Sequence, residues 1–188
     1  MTPSLVVLGL GNLVHGDDGI GVHALRELEH DPRLPPGVVL LDGGTHGLGL
    51  LPHIAGFSHL LVVDAVDAGE PPGTVVRFEG SALNGLPGKA SVHQLGFADM
   101  MVALKLLGES PPELVVLGVQ PLSTEWSIEL TPPVRESLPA LLDSIVRQLE
   151  IWIASLGSAA HELYSPGQDS PGIHGAQSSA RHGGVSPA

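Results

Sequence analysis

The sequence predicts an α/β fold: a mostly parallel β-sheet covered by helices on both faces. Three observations carry this. Unbroken aliphatic runs recur at Leu5-Val6-Val7-Leu8, Val38-Val39-Leu40-Leu41, Leu60-Leu61-Val62-Val63 and Leu114-Val115-Val116-Leu117. Stretches with helical apolar spacing alternate with them. Glycine or aspartate closes most of the runs, so each ends abruptly. Strands with no polar alternation are buried on both faces, and such strands belong to parallel sheets sandwiched by helices.

The elements follow in order. The first strand ends at Gly9-Leu10-Gly11-Asn12, and Asp17-Asp18-Gly19 opens a helix reaching about Glu29. Its apolar positions Ile20, Ala24, Leu25 and Leu28 recur at helical spacing. The second strand ends at Asp42-Gly43-Gly44-Thr45, with a short helix over about Leu48 to Ile54, and the third ends at Asp64. Asp67 to Gly73 is acidic and rich in proline and glycine, a turn, and Thr74 to Phe78 is a fourth strand. That connection is too short for a parallel crossover, which needs about a dozen residues, so the fourth strand is expected to run antiparallel. A helix over Gln94 to Leu107 and a fifth strand over Leu114 to Leu117 come next. Thr131-Pro132 reads as an N-cap with proline at the first helical position, opening a last helix to about Ile153.

Residues 1–156 are therefore expected to form one α/β domain. From Gly157 to Ala188 the composition turns to Gly, Ser, Pro, Ala and Gln, which predicts a disordered tail over 157–188. Its His161, His174 and His182 read as incidental side chains of a solvated segment.

Composition excludes several functions. The net charge is −12, which repels phosphate backbones and argues against nucleic acid as a partner. Solubility alone accounts for such a charge; steering towards a cationic partner surface is the other reading. Aromatic residues make up 3%, so stacking platforms for bases are lacking. The chain has no cysteine, which rules out disulfides, thiolate metal sites and a cysteine nucleophile. No apolar run approaches the roughly 20 residues of a membrane helix, and the N-terminus lacks the basic segment of a signal peptide. A soluble cytoplasmic protein is the expectation.

Ligands of open parallel sheets bind beyond the carboxyl ends of the strands. Polar residues expected there are Asp17 and Asp18 after the first strand, and Asp42 and Thr45 after the second. Asp64 and Asp67 follow the third, and His93 precedes the helix that opens at Gln94. Gly9-Leu10-Gly11 is half of a dinucleotide fingerprint, but the third glycine is replaced by Val14. One aspartate of the Asp17-Asp18 pair suffices to cap a helix, which leaves the other for function. Asp64, after four aliphatic residues, is costly to bury unless it is paired, hydrogen-bonded or metal-bound. Asp18, Asp64 and His93 together make a two-carboxylate, one-imidazole set suited to a borderline divalent metal such as nickel or zinc. Three ligands leave coordination positions open.

In order along the chain, Gly9-Leu10-Gly11-Asn12, Asp17-Asp18-Gly19-Ile20-Gly21, Asp42-Gly43-Gly44-Thr45, Val63-Asp64-Ala65, His93-Gln94-Leu95-Gly96 and Gly118-Val119-Gln120-Pro121 resemble the motifs of the [NiFe]-hydrogenase maturation proteases. The resemblance spans about Leu5 to Ile153. It implies an α/β/α three-layer sandwich around a five-stranded twisted sheet. It also implies an endopeptidase that trims the C-terminus of the precursor of a [NiFe]-hydrogenase large subunit once nickel has been inserted. Nickel, held by the substrate, is then read by Asp18, Asp64 and His93. Some members carry glutamate at the position of Asp18. If an aspartate serves as general base, Asp17, Asp42 and Asp64 are the candidates. Two other classes remain open: a non-catalytic nickel-sensing or docking module with the same ligands, and a dinucleotide-binding domain.

Overall fold

The computed structural model describes residues 4–80 and 92–163, and side chains within 4–80 and 99–157. Five strands form one sheet: β1 (Leu5–Leu10), β2 (Val39–Gly44), β3 (His59–Ala65), β4 (Val75–Glu79) and β5 (Glu113–Val119). Their order is β2-β1-β3-β5-β4. The β1–β2, β1–β3 and β3–β5 pairs are parallel, and β4 pairs antiparallel with β5, as the short β3–β4 connection requires.

The helices are α1 (Ile20–Leu28), α2 (Leu51–Ile54), α3 (Val92–Leu107) and α4 (Pro132–Leu163). Alternate residues of each strand serve opposite faces. Leu5, Val7, Leu61, Val63, Val115 and Leu117 pack on one side with Ile20, Leu28, Leu141, Ile145 and Leu149, which belong to α1 and α4. Val6, Leu8, Leu60, Val62 and Val116 pack on the other side with Leu50, Ile54, Met100 and Leu104, from the segment after β2 and from α3. This two-residue period, apolar in both phases, makes the strands read as continuous aliphatic runs. It also fixes the three-layer α/β/α arrangement.

Several element boundaries differ from the expectation. The helix after β1 is preceded by a 3-10 turn over Gly16–Gly19, so Asp17 and Asp18 lie before α1 rather than in its first turn. The N-cap of α1 is Gly19, with no side-chain cap bond, and the donors to Asp17 come from the β5–α4 loop. The Thr131 hydroxyl donates to Asp17 at 2.7 Å, so it serves the loop rather than the start of α4. α4 continues to Leu163, about ten residues past the expected end, because Ala154, Leu156, Ala159 and Ala160 favour helix and only Gly157 interrupts them. The tail proposed from composition lies, beyond 163, outside the described residues. Among the described residues no helix is long and apolar enough to cross a membrane.

Candidate active site

The chain leaves β1 to one side for β2 and returns to the other side for β3, so the strand order reverses between β1 and β3. At such a switch point the connections diverge and a crevice opens beyond the carboxyl ends. Asp18 follows β1 and Asp64 is the penultimate residue of β3, so each strand at the switch point brings a carboxylate to this edge. Both are buried, Asp18 at 8% and Asp64 at 2% exposure.

Glycines bring these segments together. A side chain at Gly21 would collide with the carbonyl oxygens of both Leu10 and Val63, so the first turn of α1 lies directly on β1 and β3. A side chain at Gly11 would strike the Asp18 carbonyl, and Gly11 has φ of 126°, a conformation natural to glycine. The Gly-x-Gly turn and the Asp-Asp-Gly-x-Gly segment are thus halves of one packed unit. Asp18 Oδ2 accepts the Asn12 N–H at 2.8 Å, and Asn12 Oδ1 accepts that of Val14 at 3.2 Å, so the carboxylate shapes the loop that carries it. Asp64 Oδ1 accepts the Ala65 N–H at 2.8 Å.

Asp17 is used differently. It is fully buried and accepts four donors. Its Oδ2 takes the backbone N–H groups of Leu122 and Ser123, at 2.9 and 3.1 Å, and the Thr131 hydroxyl. Its Oδ1 takes the Thr131 N–H at 2.7 Å. Four donors on about four lone-pair sites saturate the group. Its work is to tie the β5–α4 loop to the β1 loop. The backbone joins in: Gly16 N–H donates to Ser127 O at 2.7 Å and Ser127 N–H to Val14 O at 3.1 Å.

Asp42, on β2, is exposed, and its Oδ1 accepts the Gly44 N–H at 3.0 Å. The β1–β2 register slips there, passing from Gly9↔Asp42 to Leu10↔Gly44, a bulge that bends the strand end towards the rim. His46 Nδ1–H donates to the Gly43 carbonyl at 3.0 Å and closes the same turn.

His93 is the second residue of α3. Only five residues, 108–112, join α3 to β5, which starts at the amino edge of the sheet. α3 therefore runs against β5, and its first turn lies towards the carboxyl rim. The side chain of His93 lies outside the described set. Among the described side chains no three metal-ligating groups gather.

Gln120, just past β5, is a rim residue that sequence reasoning noted only within a motif. It is buried; its Oε1 accepts the N–H groups of Ala68 and Glu70, at 2.8 and 3.2 Å, and its Nε2 donates to Asp67 at 3.2 Å. It fixes the chain as it leaves β3 and holds the exposed Asp67 as part of that turn. Its position one residue beyond an aliphatic strand was the available signal.

The switch-point crevice, the glycine-packed β1–α1 unit and the antiparallel edge strand define a class that the comparisons identify. A sequence profile of the hydrogenase maturation proteases matches residues 22–148. The chain belongs to the hydrogenase maturation protease family and is a hydrolase of the peptidase class. It is 39% identical over 153 residues to the hydrogenase expression/formation protein HupD of Rhizobium leguminosarum bv. viciae, covering 80% of this chain and 76% of that one. It is 40% identical over 147 residues to the hydrogenase 2 maturation protease of Escherichia coli K12, covering 77% of this chain and 90% of that one. The solved structure of the hydrogenase-maturating endopeptidase HybD from E. coli matches with a TM-score of 0.73 at 38% identity, covering 78% of this chain and 92% of that one.

Proposed function

We propose that this protein is a nickel-dependent endopeptidase that removes the C-terminal extension from the precursor of a [NiFe]-hydrogenase large subunit after nickel insertion. What supports this reading is the pair of buried carboxylates, Asp18 and Asp64, carried just after β1 and at the end of β3, the two strands that meet at the switch point. The orientation of α3, with its first turn towards the same rim, supports His93 as the third donor.

Carboxylate and imidazole suit a borderline divalent ion, and burial strengthens each carboxylate's attraction for it. Three donors from this chain leave the remaining positions to the ligands that the precursor supplies, so the substrate's own nickel is the recognition element. Asp18 and Asp64 then orient the loaded precursor, and loops on the rim hold the peptide to be cut. When bound, nickel supplies charge that polarises the scissile carbonyl or a water. If an aspartate takes the proton from that water, Asp42 and Asp64 are the candidates that remain, because Asp17 is saturated by its four donors. We place the reaction in the cytoplasm.

The test mixes the purified protein with a nickel-loaded precursor and with its nickel-free form, and follows both by intact mass. Loss of a C-terminal peptide from the loaded form alone is the expected result. Binding without cutting would replace this reading with a docking role, and equal cutting of both forms would remove nickel from it. His93→Ala should abolish cutting while the circular dichroism spectrum and Tm stay as in the wild type. Full processing by that variant would discard the ligand assignment.

A further inference from the structure

We infer that the β5–α4 loop carries a docking surface for the folded body of the large-subunit precursor, centred on Trp126 and Ile128; this rests on the function proposed above. Trp126 is 80% exposed and Ile128 75%; Leu122 on the same loop is 57% exposed, and Val14, whose carbonyl accepts the Ser127 N–H, is 41% exposed. A large aromatic and three aliphatic side chains held in water on adjoining loops are unusual on a chain with only 3% aromatic residues.

The patch is rigid. His15 and Ser127 form a parallel bridge. In such an extended segment residues 126 and 128 share one side. His15 Nδ1–H donates to the Thr124 carbonyl at 3.1 Å, and its ring lies 4.6 Å from that of Trp126, so the indole is propped in place. Asp17 clamps the loop at both ends, at Leu122 and Ser123 and at Thr131. An aromatic side chain fixed before binding loses little entropy on contact, the property of interface anchors.

The patch is continuous with the catalytic rim. The loop that carries it starts at the carboxyl end of β5, and the Asp17 that clamps it adjoins Asp18. A protein substrate whose end is cut in the crevice must lay some of its surface on the neighbouring loops. Glu125 is exposed between the apolar side chains, and the chain bears a net charge of −12, so the matching face on the precursor is apolar with a basic rim. Leu106, an exposed apolar side chain near the end of α3 that leads into β5, lies towards the amino edge of the sheet.

Processing of a nickel-loaded precursor is to be measured across substrate concentration for the wild type, Trp126→Ala/Ile128→Ala, and Leu106→Ser as a control. The double substitution should raise KM by about tenfold or more with kcat within about twofold of wild type. Both variants should keep the wild-type Tm, because the side chains are solvent-facing. An unchanged KM in the double variant, with the wild type active, overturns the docking surface and leaves the proposed function standing. An inactive wild type overturns both. A KM raised equally by Leu106→Ser also rejects the assignment, since any exposed apolar residue would then serve.

Discussion

Asp17 and Asp18 are adjacent acids with separate tasks, and the difference lies in their partners. The sequence marks the pair as one carboxylate more than a helix cap needs, but not which is which. The donors to Asp17 lie 105, 106 and 114 residues away, a separation that no local pattern encodes. Asp17→Asn would place an amide N–H₂ against donors, breaking charge-assisted bonds in a buried site. We expect a loss of about 2–3 kcal/mol in urea unfolding, with KM for the precursor rising as the loop loosens. His23 gives a second prediction. Its Nε2 is buried with no hydrogen-bond partner, and burial, then the charge of Arg26, push its pKa below the ordinary 6.5. His59, packed edge-on against Trp152, is pushed the same way by burial, offset in part by Glu113. A lowered folded pKa means that below pH 6.5 the unfolded chain binds protons that the folded one refuses. Stability is therefore full above that pH and falls on acidification. Unfolding free energies from pH 7.5 to 5.5 should show the fall, and His23→Leu should make it shallower.

At the level of elements, the strands were legible because burial on both faces leaves an aliphatic run that little else produces. The direction of β4 was legible from loop length alone. Helix ends were harder, since α4 crosses Gly157 without stopping and the next proline in the sequence is Pro166. What lay hidden was close packing. Gly21 looked like one more helical residue, yet it is the point where α1 lies on β1 and β3. Gly21→Ala should therefore lift α1 off the sheet at about 3 kcal/mol or more, and processing should fail with it. Pro139 argues in the opposite direction. It sits inside α4, exposed, with no N–H to give to Arg135. Pro139→Ala restores that bond and removes the steric clash, offset by a more flexible unfolded chain. A net gain of about 1 kcal/mol, read as a higher Tm in calorimetry, is expected.

For the molecule as a whole, convergence of distant residues on one rim followed from topology, because parallel strands deliver all their carboxyl ends to the same edge. Asp18 and Asp64 could be placed together on that ground; the role of the β5–α4 loop could not, because its clamp and its propped indole depend on contacts between loops. Charge is the other property that belongs to the whole chain. Eight basic residues against 20 acidic ones give a field that reaches beyond any single contact. If that field guides a basic-rimmed precursor onto the rim, association is its main beneficiary, since chemistry in the crevice is shielded from salt. The Debye length shrinks from about 30 Å at 0.01 M salt to about 8 Å at 0.15 M. Over that range kcat/KM for the precursor should fall by about threefold or more, while kcat at saturating precursor changes little. A kcat/KM independent of salt would assign the −12 charge to solubility alone and leave docking to the apolar contacts.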